Sequence, residues 1–261
     1  MSLLDQFCID LVLMSQSIFD TLSHLYSSLE IVNKNMDLEN LKQQAATSAV
    51  DFVQSGMVIG LGSGSTVYHA LLEIGKRVQN GMDILGIPTS LQTARIAESL
   101  GIPLSDLNCH RNLDLTIDGA DEIDTNLNLI KGLGGALVRE KITAEASQQL
   151  IIIADQSKIV PYLGQVSPLP VEVVKFGWKT TQDRISQFCP RVERRFEQSD
   201  VYITDNGNYI LDCYFEKITQ AAKTEIEINS LPGVVENGLF IDRVKLAIIG
   251  TKNGIQHQYK S

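Results

Sequence analysis

The chain has 261 residues, of which 44% are hydrophobic and 20% are charged, and its formal net charge is -9. This composition is that of an ordinary globular protein, long enough for one large core and a smaller companion domain. The acidic balance argues against a nucleic acid as partner, because binding a phosphate backbone requires clustered Lys and Arg side chains. Four cysteines without paired spacing indicate neither a zinc site nor a disulfide framework, and they fit a reducing cytoplasm.

Residues 1–37 are predicted to be an extension of the folded body, either a poorly ordered tail or an additional helix. Met36 is a candidate for the natural start of the protein. The apolar stretch Ile9–Met14 is not preceded by any basic residue, so we expect no secretory signal. Acidic residues such as Asp10 and Asp20 interrupt the apolar residues, and we therefore expect no membrane span.

From Leu38 onward, helix and strand signals alternate. Helical spacing extends over Leu38–Gln54 and stops before Gly56. Short apolar runs that predict strands are Met57–Leu61, Met82–Ile87, Leu113–Ile117, Leu150–Ala154 and Val244–Ile249. Near-continuous apolar strands that alternate with helices are typical of a parallel sheet covered on both faces. The predicted fold class is therefore α/β, with a doubly wound, mostly parallel, Rossmann-like sheet.

Between residues 168 and 240 the pattern changes. Short strand candidates alternate with two helical stretches there, and Asp205-Asn206-Gly207-Asn208 predicts a tight hairpin turn. The strands are predicted at Val171–Val174, Val192–Phe196, Val201–Thr204 and Tyr209–Phe215, and the helices at Trp178–Phe188 and Thr219–Ile228. We predict an inserted α+β domain over residues 168–240, with residues 38–167 plus 241–261 forming the Rossmann-like domain.

A glycine-rich segment follows the first predicted strand and reads Gly60-Leu61-Gly62-Ser63-Gly64-Ser65-Thr66. Accessible backbone amides, the start of a helix and several hydroxyl groups together favour the binding of a phosphate. Two nucleotide-binding motifs do not fit. Ser65 stands where the dinucleotide fingerprint has its third glycine, and no Gly-Lys-Ser/Thr follows as in a P-loop. The structural alternative is a turn that only packs the helix against the strand.

An acidic cluster follows the strand Leu113–Ile117. Asp118 closes this strand, and Asp121, Glu122 and Asp124 come within six positions of it. Each of these residues could be a turn or cap residue, and a magnesium site is another interpretation because hard cations take carboxylate oxygens. The cluster by itself leaves these alternatives open.

A lysine and a glutamate flank a second glycine-rich turn. Lys131 precedes Gly132–Gly135, and Glu140 lies in the second turn of the helix that follows. Ligands of open α/β sheets bind beyond the carboxyl ends of the strands, so both side chains are expected to face one cleft. There, burial and neighbouring carboxylates would raise the pKa of Glu140, while Lys131 would oppose the rise. The alternative is that Glu140 is a solvated surface residue. Lys158 also follows a strand and could meet an anion.

Taken together, these motifs resemble those of ribose-5-phosphate isomerases of type A. The resemblance spans about Leu38 to Gly254, with the segments in order. Its segments are Gly60–Thr66, Asp118–Glu122, Ile130–Leu137, Arg139–Ile142, Ala154–Lys158, Leu169–Val173 and Leu231–Val235. Leu133 departs from the pattern because many relatives have a further glycine there, but a backbone contact would survive if its φ angle is negative.

The resemblance implies a reversible conversion of D-ribose 5-phosphate to D-ribulose 5-phosphate in the pentose phosphate pathway, without a metal or organic cofactor. It makes Glu140 the proton acceptor between C2 and C1, and it assigns Lys131 to stabilising the enediolate. Asp118 would open the furanose ring and Asp121 would bond sugar hydroxyls. The residues implied to contact the substrate are Lys42, Ser63, Gly64, Ser65, Thr66, Asp118, Gly119, Ala120, Asp121, Lys131, Gly132, Leu133, Gly134 and Lys158. A homodimer or homotetramer is also implied.

Two other classes of protein remain as alternatives. A non-catalytic sugar-phosphate sensor would keep the phosphate loop and could lose Glu140 and Lys131, whereas this chain has both. A nicotinamide-dependent dehydrogenase would need the missing third glycine and an acid at the end of the second strand, where Pro88-Thr89-Ser90 stands.

Overall fold

The computed structural model describes residues 37–260, so the predictions about the extension and Met36 lie outside the described residues. The helices are α1 (residues 37–50), α2 (Ser65–Gln79), α3 (Leu91–Ser99), α4 (Leu137–Glu145), α5 (Trp178–Ile185) and α6 (Ala221–Asn229). The strands are β1 (Val58–Leu61), β2 (Leu85–Pro88), β3 (Leu115–Gly119), β4 (Glu122–Ile123), β5 (Leu129–Ile130), β6 (Leu150–Asp155), β7 (Leu169–Val173), β8 (Arg191–Arg194), β9 (Phe196–Glu197), β10 (Asp200–Val201), β11 (Tyr209–Tyr214), β12 (Val234–Asn237), β13 (Leu239–Phe240), β14 (Leu246–Thr251) and β15 (Gly254–Tyr259).

The main sheet has six strands in the order β15-β14-β6-β3-β1-β2. All neighbouring strands are parallel except β15, which pairs antiparallel with β14 at one edge. The predicted α/β class with a mostly parallel sheet is therefore confirmed. The strand β15 was not predicted, because Gln256, His257 and Gln258 give this half-exposed edge strand no apolar run.

The interior strands β6 and β14 carry nearly continuous apolar runs because both of their faces are buried. In β6, Ile151 and Ile153 pack into one core with residues of α1 and α2, whereas Ile152 and Ala154 pack into a second core on the opposite face, which includes Ala144 of α4. Successive side chains of a strand point to opposite faces, so a single apolar run supplies both cores.

The order of the strands creates a switch point at β1. From β1 the chain crosses to β2 on one side and then returns to β3 on the other. The loops after β1 and β3 consequently diverge from neighbouring strand ends and leave a crevice, which is where open α/β sheets bind ligands.

Residues 168–240 contain all four strands of a separate antiparallel sheet in the order β12-β7-β11-β8. The predicted turn at Asp205–Asn208 is present, with Gly207 at φ 82° and a bond from Thr204 N to Asn208 O. However, its flanking strands do not pair with each other, because β10 pairs with β9 and β11 pairs with β7 and β8. The strand β12 was not predicted.

Most predicted elements agree with the structure to within a few residues. One difference at a helix end is in α1, which ends at residue 50 and not at Gln54. There, Phe52 and Val53 donate to carbonyls three residues back, the bonding of a tight turn that closes the helix. Both sheets lie in one compact unit, Leu41–Ser261, and the proposed division into two domains stays a prediction. No helix within residues 37–260 has the length and apolar content needed to cross a membrane.

Candidate active site

The first part of the site is the loop between β1 and α2. Gly62 allows it to approach β3 closely, since a Cβ atom at this position would lie 2.2 Å from Asp118 Oδ1. The helix begins at Ser65 with no side-chain cap on its first backbone N–H groups. Uncapped N–H groups and the partial positive charge of a helix start favour an anion at this end of α2.

The second part is a buried cluster of charges on three elements. Lys131 follows β5, and its Nζ lies 3.1 Å from Asp118 Oδ1 at the end of β3 and 3.1 Å from Glu140 Oε1 on α4. It also donates to the carbonyl of Gly119 at 2.6 Å. The three side chains are 1–4% exposed. The cluster therefore joins one ammonium group to two carboxylates away from bulk water.

Within residues 37–260, one oxygen of each carboxylate in this cluster has no hydrogen-bond partner. Asp118 Oδ1 also accepts from the backbone N–H groups of Ser63 and Gly119, but Asp118 Oδ2 and Glu140 Oε2 are buried and make no hydrogen bond to any described residue. Buried polar atoms are nearly always paired in folded proteins, and a catalytic role is one explanation of an exception. Glu140 Oε2 is thus able to accept a proton from a ligand.

The burial of the cluster shifts its pKa values. Burial raises the pKa of Glu140 to about 8; Lys131 opposes this rise, while Asp118 and Asp121 add to it. The predicted direction for Glu140 is confirmed. Burial likewise raises the pKa of Asp118 against the opposing effect of Lys131. Burial alone would lower the pKa of Lys131, but the two carboxylates outweigh it and hold this pKa above its usual value. The lysine therefore stays charged, and Glu140 titrates near neutral pH.

The rest of the acidic cluster separates into different environments. Asp121 Oδ2 accepts from Leu133 N at 2.9 Å. Glu122 is fully buried and accepts three backbone N–H bonds from residues 164–167, so it anchors a loop. Asp124 closes a turn through Asn126 and Asn128. Across residues 37–260, no group of three or more His, Cys, Asp or Glu side chains is arranged to hold a metal ion, so the magnesium interpretation lacks a ligand set there.

A cavity of about 100 Å³ connects these parts. It is lined by Ser63, Gly64, Ser65, Thr66, Gly119, Ala120, Asp121, Lys131, Gly132, Gly134, Glu140 and Lys158. Three residues predicted to contact substrate do not line it. Asp118 is buried in contact with Lys131, Leu133 is exposed, and Lys42 on α1 is not among the lining residues. A wider groove of about 590 Å³, lined by residues such as Tyr162 and Lys260, contains none of the predicted site residues.

The backbone at the second glycine-rich turn supports a contact despite the leucine. The backbone contact predicted at this position requires that Leu133 avoid a positive φ angle. Leu133 meets this requirement. Sequence analysis did not single out Arg195, which donates to the carbonyls of Gly132 and Leu133. Arg195 lies more than 60 residues after the turn in the sequence, so the spacing of the motifs did not indicate that the two are in contact.

The fold and the site together define an α/β protein with a glycine-rich loop at a helix start and a buried cluster of two carboxylates and one ammonium group at the switch point of its sheet. The family model for ribose 5-phosphate isomerase A (phosphoriboisomerase A) matches residues 85–254. The chain belongs to this ribose-5-phosphate isomerase A family.

Individual relatives agree with the family model. The chain is 53% identical over 218 residues to ribose-5-phosphate isomerase A of Bacillus mycoides, which covers 83% of this chain and 98% of the relative. Among solved structures, the ribose 5-phosphate isomerase of Plasmodium falciparum has a TM-score of 0.83 at 42% identity. The match covers 86% of this chain and 100% of the Plasmodium chain. A D-ribose-5-phosphate isomerase in complex with phospho-erythronic acid has a TM-score of 0.82 at 40% identity. The match covers 85% of this chain and 99% of the solved chain.

Proposed function

We propose that this chain interconverts D-ribose 5-phosphate and D-ribulose 5-phosphate by moving a proton between C2 and C1 through an enediolate. Glu140 is the base. The observation that carries this assignment is the unpaired, buried Glu140 Oε2 at the cavity, with Oε1 held by Lys131. Family membership supports the reaction, since the relatives are ribose-5-phosphate isomerases. No support exists for a non-catalytic sensor.

Proton removal next to a carbonyl leaves negative charge on oxygen, and Lys131 is the group that meets it. Its ammonium supplies a fixed positive charge where water is excluded, which lowers the energy of the enediolate more than that of the neutral substrate. No metal ion is needed for this role in the proposal. The amides of Gly132, Leu133 and Gly134 are proposed to share the stabilisation, and Leu133 N also donates to Asp121 Oδ2 at 2.9 Å.

The other polar groups are proposed to hold the remainder of the sugar. Asp118, whose Oδ2 makes no hydrogen bond to any described residue, takes the proton of the anomeric hydroxyl while the bond from C1 to the ring oxygen breaks, and this proton then passes to the ring oxygen. Asp121 bonds the sugar hydroxyls beside Gly119 and Ala120. The phosphate lies at the start of α2, near Ser63–Thr66, and Lys158 approaches it from the loop after β6. The assignment of Lys42 as a phosphate-side residue rests only on the resemblance of the sequence to ribose-5-phosphate isomerases of type A. Phospho-erythronic acid, bound by one solved relative, is proposed to bind here too.

The function is tested by incubating the purified chain with ribose 5-phosphate and EDTA and measuring ketose. Steady formation of ribulose 5-phosphate is expected, because base and electrophile are both protein side chains. A sensor would bind the sugar phosphate without turnover, and a dehydrogenase would require added nicotinamide. Absence of ketose with a correctly folded chain would refute the proposal.

The pH dependence of the reaction is expected to follow Glu140. Its carboxyl must be ionised to accept a proton, and its pKa is raised to about 8 in the free protein. We therefore expect kcat/KM to fall by about tenfold for each pH unit below this value, since kcat/KM reports the free enzyme. Rates measured from pH 5.5 to 9.5 check this expectation. A flat profile down to pH 5.5 would show that another group is the base.

The wider setting is also a proposal. The reaction belongs to the non-oxidative branch of the pentose phosphate pathway, and the protein is cytoplasmic, in keeping with the free thiols of Cys109, Cys189 and Cys213. It assembles as a homodimer or homotetramer, as most soluble oligomers are symmetric. Sedimentation of a monomer at micromolar concentration would contradict the assembly.

A further inference from the structure

The carbonyl groups of the second glycine-rich turn are bonded by side chains from the segment 168–240. Arg195 Nη1 donates to the carbonyl oxygen of Gly132 at 2.9 Å and to that of Leu133 at 2.8 Å. The hydroxyl of Tyr202 donates to the carbonyl oxygen of Gly134 at 3.2 Å. Three successive carbonyls thus accept from side chains more than 60 positions away, and the Gly132 carbonyl also accepts from Gly135 N within the turn.

Arg195 is itself fixed in place. Its Nε and Nη2 donate to the two oxygens of Asp212 on β11, at 2.9 and 2.5 Å. This bidentate arrangement fixes the plane of the guanidinium as well as its position. Asp212 lies in the interior of the strand order β12-β7-β11-β8, where the backbone is paired on both sides. The antiparallel sheet is therefore the rigid support from which Arg195 reaches the turn.

Tyr202 is tied to the same support. Its backbone N–H donates to the carbonyl of Arg195, and its ring packs directly on the turn. Gly135 has a φ angle of 78°, and a Cβ atom there would lie 2.1 Å from the Tyr202 hydroxyl oxygen. A side chain at position 135 would displace the tyrosine, so glycine allows this contact.

Holding the carbonyls determines where the amides point. A trans peptide is planar, with its C=O and the following N–H on opposite sides. Because the carbonyls of Gly132 and Leu133 face Arg195, the N–H groups of Leu133 and Gly134 point away from it. Leu133 N indeed reaches Asp121, which lines the cavity, and Gly134 lines the cavity too. Arg195 thus orients the amides proposed to meet the enediolate by bonding the carbonyls on the opposite side of the same peptide units.

We propose that Arg195, anchored by Asp212 and assisted by Tyr202, is a positioning residue for the reaction. It does not line the cavity and acts through the turn, by fixing the two peptide units that carry the N–H groups of Leu133 and Gly134. Both N–H groups are thereby kept on the cavity side, where Leu133 N donates to Asp121 and the oxygen that gains charge would lie. This inference rests on the proposed function. Preorganised donors matter most in the transition state, so the loss of Arg195 should lower turnover more than substrate affinity.

The test is Arg195→Lys, measured with ribose 5-phosphate. A lysine keeps the charge but cannot bond Asp212 and two carbonyls in one plane. We expect kcat to fall by about 10- to 100-fold, in line with the cost of displacing catalytic groups by about 1 Å, and KM to stay within about threefold. Arg194→Lys is the matched control, because the Arg194 guanidinium stacks on Trp178, 4.4 Å from the ring centroid, and not on the turn. Its kcat should stay within about twofold.

A second variant, Tyr202→Phe, removes one hydroxyl and keeps the ring, so it tests the proposal even if Arg195→Lys fails to fold. We expect its kcat to fall by about three- to tenfold at unchanged KM, the effect of one neutral hydrogen bond. The proposal is overturned if the Arg195→Lys protein folds and retains wild-type kcat. If Arg195→Lys does not fold, wild-type kcat in Tyr202→Phe overturns the proposal. It is equally overturned if KM rises as much as kcat falls. The proposed function is tested separately, by measuring whether the unmutated chain forms ketose from ribose 5-phosphate.

Discussion

Glu140→Gln is expected to lower kcat by at least about 10²- to 10⁴-fold, with the binding of ribose 5-phosphate retained. The amide of glutamine has nearly the shape of the carboxylate but cannot accept the proton of C2. Its carbonyl oxygen can still take the bond that Lys131 donates to Glu140 Oε1 at 3.1 Å, so the surrounding groups should keep their positions. Turnover is measured as ketose formation, and affinity is measured by calorimetry, which the slow variant permits.

Glu122→Gln is the matched control for this change. Glu122 is another fully buried glutamate, but its oxygens accept backbone N–H groups of residues 164–167 and it does not line the cavity. Its replacement should lower the free energy of unfolding by about 1–3 kcal/mol, since an amide offers one acceptor oxygen where two are used. Turnover per folded molecule should stay near the wild-type value. Near wild-type turnover in Glu140→Gln itself would refute the assignment of the base.

Lys131→Ala is expected to lower kcat by about 10²- to 10³-fold, the cost of removing one preorganised donor from a developing oxyanion. KM should rise by a smaller factor, because the charge that Lys131 meets is fully formed only in the transition state. The variant also leaves Asp118 and Glu140 buried without their counter-ion, which typically costs about 3–5 kcal/mol of stability. Rates must therefore be divided by the folded fraction, obtained from denaturant unfolding.

Lys141→Ala separates the loss of chemistry from the loss of a buried ion pair. Lys141 is also buried, bonds Glu225 and Glu236, and lies 5.1 Å from the centroid of the Phe240 ring, which is 5.6 Å from Lys131 Nζ. It does not line the cavity. This variant should lose stability while its folded fraction turns over far faster than Lys131→Ala. If both lysine variants lose kcat equally, or if Lys131→Ala keeps it, the electrostatic role of Lys131 is wrong.

Local patterns predicted the elements that are buried on both faces. The runs in β6 and β14 could be read from the sequence because successive residues pack into opposite cores, so the apolar signal is continuous. In β1 and β3 the apolar residues Ile59, Leu61, Leu115 and Ile117 pack into one core. The edge strand β15 and the short strands β4, β5 and β13 carry no such signal. They form because neighbouring strands offer backbone partners, as Leu239 does for Ile130, and such pairings depend on residues far away in the chain.

The same division applies to the site. Each glycine-rich turn combines a helix start with small residues over a few positions, so the motifs at Ser63–Thr66 and Lys131–Gly134 were apparent from the sequence alone. The distances that join Lys131 to Asp118 and Glu140, the burial that raises the pKa of Glu140, and the bonds from Arg195 to the turn came only from the tertiary structure. The physical reason is range: backbone geometry and capping act between neighbours in the chain, whereas desolvation and charge pairing depend on which distant groups the packed sheets bring together.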